Sequence, residues 1–391
     1  MQKTVFIVGM ARTPIGSLQG ALASVSAPKL GAVAIKAALE RSGVSPAMVN
    51  EVFMGNVVSA GIGQAPAQQA SIFAGIPTTV PCTTVNKVCA SGMKSIMLGA
   101  QSILNGDNDI VVAGGMESMS NIPFYLDKAR SGYRLGNGQL SDGILKDGLW
   151  DPYNDYHMGN AGELCSTEYR ITREDQDNFA KESYTRASRA YENGFFNNEL
   201  APVTIEGKNA TTVSEDEEFK KVNFDKMSSL KPAFTKEGAI TAANASKIND
   251  GAAAVVLASE EKVKELGLKP IAKIISFADA SQQPEWFTTT PIKAMSNALK
   301  KAGLTISDID YSEVNEAFSC VAIVNAKEMG IPMDRLNVWG GAVALGHPIG
   351  CSGARITITL ASILQQNKGN YGMAGICNGG GGASAIIIQR V

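Results

Sequence analysis

The feature that most constrains this chain is that it repeats itself. Ala38-Leu39-Glu40-Arg41-Ser42-Gly43-Val44 returns as Ala298-Leu299-Lys300-Lys301-Ala302-Gly303-Leu304. Each reads as the end of an amphipathic helix, apolar at i, i+3 and i+4, stopped by a glycine able to take the left-handed C-cap conformation. Ser91-Gly92-Met93-Lys94 returns as Ser352-Gly353-Ala354-Arg355, and each opens a second helix closing on Ser-Ile-Leu, at 102–104 and 362–364. A third echo pairs the strand-like Asp109 to Ala113, with Gly114-Gly115, to Met373 to Cys377 and the glycines from Gly379. Three matches at nearly one offset predict two α/β halves of the same design, each strand, helix, strand, loop, helix, strand. Runs such as VFIV and DIVVA suit strands buried between helical layers.

The halves leave a middle segment that is richer in charge, Tyr and Asn, with the acidic run Ser214 to Glu218 and Lys220, Lys221, Lys226 and Lys231. The division expected is an N-terminal half over 1–118, an inserted loop domain over 119–250, and a C-terminal half over 251–391, of which 251–269 returns the chain to the N-terminal half. Thr172-x-x-Asp175 is a capping-box pattern that should start one helix of the insert.

Charge excludes several partner classes. With 35 basic and 37 acidic residues there is no global field to recruit nucleic acid or anionic membrane, so an anionic ligand needs a local patch. The longest apolar runs, such as Ala385 to Ile388, fall far short of the roughly 18 residues that cross a bilayer. The opening MQKTVFIVGMARTPIG has neither a secretory h-region nor a transit-peptide pattern, and the end is no SKL-type address, so the expected compartment is the cytoplasm. A mitochondrial chain after loss of its presequence would read the same. Six cysteines without a CxxC pair, and two histidines, argue against structural zinc and a disulfide framework.

The chemistry gathers in four segments. Cys89, in Asn86-Lys87-Val88-Cys89-Ala90-Ser91-Gly92, stands just before a helical pattern, where partial positive charge and free N–H groups favour thiolate near neutral pH. Gly346-His347-Pro348-Ile349-Gly350-Cys351 is a glycine-rich turn at the matching place in the second half, able to set an imidazole beside a nucleophile. Asn315-Glu316-Ala317-Phe318 lies at a strand-to-helix junction where Asn can hold a water or an oxyanion. Cys377-Asn378-Gly379-Gly380-Gly381-Gly382 puts a second thiol ahead of glycines that free backbone N–H groups for a ligand.

Together, NKVCASG, NEAF, GHPIGCSGAR and CNGGGG resemble the thiolase family in order and spacing over the whole chain. VVAGGMESM, TAANAS and NDGAAA bring the likeness nearest to the eukaryotic-type acetoacetyl-CoA thiolases, the acetyl-CoA C-acetyltransferases. The resemblance implies a five-layered αβαβα fold of two similar halves with an inserted loop domain, and reversible joining of two acetyl-CoA into acetoacetyl-CoA and CoA. It makes Cys89 the acetyl acceptor activated by His347, and Cys377 the base that takes a methyl proton from the second acetyl-CoA. One oxyanion hole would be His347 with a water fixed by Asn315, the other the N–H groups of Cys89 and Gly379, with Glu316 orienting the cluster.

The same likeness places His157 and Met158 against pantetheine, Lys221, Val222, Asn223, Lys226 and Ser246 along the CoA site, and Ala317 and Phe318 near the thioester. Tyr184, Ala242, Ala243, Ala245 and Val343 match a potassium site, whose backbone carbonyls suit a weakly hydrated ion; Tyr184 also borders the substrate. No covalent cofactor is implied, CoA being substrate and product, and the family assembly is a homotetramer, a dimer of dimers. Cys351 reads as structural, and Cys82, Cys165 and Cys320 have no motif role. A broader-chain degradative 3-ketoacyl-CoA thiolase would use the same residues, and a silent thiolase-like scaffold would have no chemical reason to keep both cysteines and His347. Pathway and direction stay open between sterol and isoprenoid precursors and ketone-body or isoleucine breakdown.

Overall fold

The structure is a computed structural model and describes residues 3–207 and 210–391. The first half runs β1 (Val5–Arg12), α1 (Ala27–Ser42), β2 (Glu51–Gly55), β3 (Cys82–Val85), α2 (Ser91–Asn105) and β4 (Ile110–Ser118). The middle segment holds α3 (Met158–Glu168) and α4 (Arg173–Glu192), after which β5 (Asn249–Ser259) rejoins the first half. The second half runs β6 (Ala272–Ser281), α5 (Thr290–Ala302), β7 (Tyr311–Val314), α6 (Ser319–Met329), α7 (Ser352–Asn367), β8 (Tyr371–Asn378) and β9 (Gly382–Arg390).

The strands form one hydrogen-bonded path, β7-β8-β9-β6-β1-β5-β4-β2-β3. At its centre β1 and β6, the opening strands of the two halves, pair antiparallel with Val5 opposite Ile274. Outward from that seam each half repeats the same neighbours: β5, β4 and β2 on one side, β9, β8 and β7 on the other. Each half has a return strand that the repeat does not predict (β5 or β9) between the outer pair and the seam, and the first half has the edge strand β3 besides. The counterpart of β3 has shrunk to one parallel bridge, Ser312 with Leu336. Between residues 119 and 248 the described strands pair only with one another, as three two-stranded ribbons.

Five layers follow from where apolar side chains go. α1 covers the outer face of the first half-sheet, and α5 and α6 cover that of the second. α2 and α7 lie between the two inner faces in a core that runs from Ile7 and Val255 to Ile376 and Ile388. The helices touch where the repeat places matching glycines. A Cβ on Gly92 would come within 2.8 Å of Ala354 N, and one on Gly353 within 2.5 Å of Met93 N, so neither position has room for a side chain. Gly43 and Gly303 end α1 and α5 with φ of 72° and 66°, as their sequence positions predict. The Thr172 capping box is formed in both directions, a feature worth about 1 kcal/mol to α4.

The acidic run of the middle segment is not a solvated face. Asp216 and Glu218 are buried, and Glu217 accepts the N–H groups of Ser17 and Ala21. This is how the insert grips the first half. No described helix is long and apolar enough to cross a membrane.

Candidate active site

The loop from β3 to α2 delivers Cys89. Ser91 accepts from Lys87 N (2.8 Å) and donates to Val88 O (2.6 Å), closing a turn so tight that Val88, a β-branched residue, sits at φ 46°. Asn86 braces the turn through Val88 N (3.0 Å) and Val57 O (3.1 Å). Lys87 reaches across to Asp279, Ala383 O and Ser384 of the second half. Cys89 is thus held at the junction of the halves, half-buried.

Burial pushes the Cys89 pKa up to about 12, against the pull of the backbone N–H groups of Gly379 and Cys89 itself. This burial opposes the helix-start pull toward thiolate that the sequence suggests, because desolvation penalises the charged sulfur. His347 is displaced the other way: burial, with Arg355 adding repulsion, draws its pKa down to about 3. Both shifts favour the neutral forms, imidazole and thiol. Alkylation of Cys89 by iodoacetamide should therefore climb roughly tenfold per pH unit from about pH 7 to about pH 9. A plateau near neutrality on peptide mapping would instead reveal a thiolate–imidazolium pair. Cys82, the other half-buried cysteine, is also pushed up by burial but faces no glycine N–H.

Two partners orient His347. Its Nδ1 lies 2.6 Å from Ser352 Oγ, which donates to Pro348 O at 3.0 Å, so the oxygen accepts Nδ1–H and leaves the lone pair on Nε2. Asn315 Nδ2 sits 3.5 Å from Nε2, and Asn315 Oδ1, though buried, has no partner among the described residues, so it can take a water or a ligand proton donor. The loop is pinned by Asn249, which accepts His347 N (2.9 Å), and by Glu117, which accepts Gly350 N (2.9 Å) along with Val57 N, Val58 N and Asn56 Nδ2. Burial pushes the Glu117 carboxyl up to about 7. The Asp250 carboxylate adds to that rise, while the backbone N–H donors oppose it by favouring the carboxylate. The Glu316 carboxylate makes no hydrogen bond to the side chain of His347 or Asn315. It accepts from Ser183 (2.8 Å), Asn337 (2.9 Å) and Val343 N (3.0 Å), and so braces the segment that leads into His347.

Cys377 ends the strand beside this cluster, fully buried, its thiol raised well above the ordinary value by burial and then by the nearby Cys89 sulfur. It shares an apolar cluster with Met158, Ala317, Phe318 and Phe287. Behind it Gly381, at φ 81°, passes so close to Gln282 that a Cβ would meet its carbonyl oxygen at 2.1 Å. The turn so formed leaves Gly379 free to face Cys89.

Two cavities bear on the candidate site residues, of which the first reaches the neighbours of Cys89. One, of about 510 Å³, is lined by Val57, Val58, Asn86, Val88, Met158 and Gly379. Another, of about 250 Å³, brings together Tyr184, Lys221, Val222, Asn223, Lys226, Ala242 and Ala243. Lys221 reaches Ser17 Oγ, and Asn223 caps the short helix Phe224–Met227. Ser246 N donates to Ala317 O (3.1 Å), and Ala245 bridges to Phe318, linking the two regions. His157 accepts Gly159 N–H at Nδ1 (3.0 Å), capping α3, and stacks on Phe234, with ring centroids 4.7 Å apart. Met158 is the member of that pair that borders Gly379.

One side chain was not anticipated at all. The Lys247 ammonium donates to Tyr184 OH (2.6 Å), Ala245 O (2.8 Å) and Val343 O (3.0 Å), in the middle of the residues matched to a potassium site. Burial lowers its pKa to about 8, while Glu218 and Glu316 hold it up. The signal was present, since this lysine directly follows TAANAS. Ser352 and Glu117 were likewise inside quoted motifs, but nothing local marks them as supports.

A cysteine at the junction of duplicated halves, an imidazole from the matching loop and a second thiol before a glycine turn define an acyl-transferring condensing site. The Thiolase, N-terminal domain pattern matches residues 5–261, and the Thiolase, C-terminal domain pattern matches 268–390. The chain belongs to the thiolase family. It is 56% identical to acetyl-CoA acetyltransferase 1 of Arabidopsis thaliana, over 99% of this chain and 94% of that one. It is 55% identical to a cytosolic acetyl-CoA acetyltransferase of Gibberella zeae, over 99% and 98%. The Acat5 thiolase of Ascaris suum, crystallised with coenzyme A, superposes with a TM-score of 0.96 at 47% identity, with all of both chains covered.

Proposed function

We propose that this thiolase is an acetyl-CoA C-acetyltransferase, joining two acetyl-CoA reversibly into acetoacetyl-CoA and CoA through an acetyl thioester on Cys89. The observation that carries the reading is the pair of neighbouring thiols, Cys89 under the N–H groups of Gly379 and Cys89, and Cys377 close enough to feel its charge. A condensation needs both, because one sulfur is occupied as thioester while the other moves a proton.

The perturbed thiols and imidazole order the steps. His347 Nε2 takes the Cys89 proton as the sulfur attacks the first acetyl-CoA, so the thiolate is made only in the act of bonding. The thioester C–S bond breaks, and Cys377, still protonated, gives its proton to the departing CoA sulfur. Acetylation has by then removed the Cys89 charge that opposed ionisation of Cys377, and its thiolate takes a methyl proton from the second acetyl-CoA. The resulting enolate attacks the acetyl-cysteine, and the freed Cys89 sulfur recovers its proton from His347. The two N–H groups on Cys89 hold one oxyanion; His347 with Asn315 and its water hold the other. Glu316, Glu117 and Ser352 act as positioning residues.

The same reading lays the CoA nucleotide over Lys221, Val222, Asn223 and Lys226 and runs pantetheine past Ser246 and Met158. A monovalent cation enters it only at Tyr184, Ala242, Ala243, Ala245 and Val343, where Lys247 already places a positive charge. Around Cys377 the wall of Met158, Phe287 and Phe318 favours an acetyl over a longer acyl group. A series with acetoacetyl-, 2-methylacetoacetyl- and 3-ketooctanoyl-CoA tests this: thiolysis should fall by at least about 10-fold on the eight-carbon substrate, each misplaced methylene being worth about 1 to 3 kcal/mol. Equal rates would favour the broader degradative thiolase.

The Gibberella relative, named as cytosolic, supports a cytoplasmic enzyme. Phe124, Leu126, Leu135 and Leu140, all exposed on one segment, offer an apolar surface for assembly into a homotetramer, readable by sedimentation.

A further inference from the structure

We infer that the ammonium of Lys247 takes the place of a bound monovalent cation in this chain, tying the candidate CoA pocket to the segment that carries His347. An ammonium has three N–H donors and no acceptor, and here each donor meets one oxygen: Tyr184 OH, Ala245 O and Val343 O. Nζ also lies 5.2 Å from the centre of the Tyr184 ring, within cation–π range. The three oxygens come from three separate segments, α4, the loop from Thr241 to Lys247, and the short helix Ala342–Leu345 just before His347. An untethered potassium ion would need these same oxygens and would sit against a like charge. The residues present therefore fit the tethered cation and do not fit a potassium ion beside it.

The cage also explains how the cation would matter. Val343 is held from both sides of its backbone, N–H to Glu316 and C=O from Lys247, four residues ahead of His347. Tyr184, Ala243 and Lys247 form one wall of the cavity that Lys221, Asn223 and Lys226 complete. The ammonium thus joins that wall to the His347 loop with no exchangeable ion. The occupancy of the cage stands on geometry alone; only its effect on turnover rests on the condensation proposed above.

The test compares sodium and potassium chloride at equal ionic strength, reading both melting temperature and steady-state thiolysis of acetoacetyl-CoA. The native protein should be indifferent to the choice of salt in both measurements. Lys247→Ser keeps the carbonyl and tyrosine oxygens and opens the cage. In sodium it should lose about 5- to 150-fold in kcat/KM, the usual span of a coupling between two sites, chiefly through KM for the CoA substrate. Potassium should then restore much of that loss and raise the variant's melting temperature, because an ion that binds the folded state stabilises it. Lys247→Met, which fills the space without a charge, should show the loss and no potassium response. The inference is overturned if potassium activates or stabilises the native protein, if Lys247→Ser loses nothing, or if a folded Lys247→Ser is impaired but indifferent to potassium. The native-protein arm requires no variant, and the melting arm still reads the cage if the protein proves inactive on acetoacetyl-CoA, an outcome that would count against the condensation alone.

Discussion

Cys377→Ala should retain part of the exchange of labelled CoA into acetyl-CoA while its synthesis of acetoacetyl-CoA falls about 100- to 10,000-fold, the usual loss on removing a positioned general base. The reasoning lies in what each half-reaction asks of the second thiol. Exchange needs Cys89 and His347 to make and break the acetyl thioester, and asks of Cys377 only a proton for the leaving CoA, which water can replace in part. Condensation needs a base at a methyl carbon inside an apolar cluster, where Cys377 is fully buried and water is a poor substitute. Cys89→Ala should abolish both activities, since no acetyl-enzyme can form. Equal losses of exchange and synthesis in Cys377→Ala, with an unchanged melting curve, would refute this division of labour.

The largest loss of stability is expected at Arg12. Its Nε donates to Glu199 (2.6 Å) and its two terminal nitrogens donate to both oxygens of Asp216 (2.8 and 3.1 Å), all fully or almost fully buried. Glu199 in turn accepts from Thr359 (3.2 Å) and Ser362 (3.0 Å) on α7. One guanidinium therefore joins β1 and the inserted segment, and through Glu199 reaches the central helix of the second half. Its charge is held firmly, because the two carboxylates outweigh the cost of burial and keep its pKa well above the ordinary value. Arg12→Met would strand two buried carboxylates, a change that costs about 3 to 5 kcal/mol and, in a chain of 391 residues, should lower the melting temperature by roughly 4 to 6 °C. Lys262→Met, which removes an exposed pair with Glu265, should leave the melting temperature unchanged. A shift at Arg12 as small as that control would show that the triad is not what fastens the insert.

The fold was legible where information is local and doubled. Helix ends at Gly43 and Gly303, helix starts at Ser91 and Ser352, and the capping box at Thr172 each follow from a few consecutive residues, and the repeat showed the same rules twice. The return strands β5 and β9 were harder, because β5 joins the first half-sheet only after the whole insert, and a continuous apolar run does not name its neighbour. Arg12 reads as one more basic residue near a strand end until the chain brings Glu199 and Asp216 to it.

The candidate site divides in the same way. Cys89, His347, Asn315 and Cys377 were singled out as candidates in the sequence because each stands in a tight turn or near the end of an element, where the pattern of glycines and caps is written locally. Their protonation was not, since the pull of a helix start is a local property whereas desolvation depends on what the rest of the chain packs around the sulfur. Lys247 is the sharpest case. From the sequence by itself, the thiolase resemblance marked Tyr184, Ala242, Ala243, Ala245 and Val343 as matching a potassium site; only the tertiary structure brought the chain's own Lys247 ammonium among the oxygens of Tyr184, Ala245 and Val343, because α4, the loop after Thr241 and the helix before His347 meet around it only once the fold is complete.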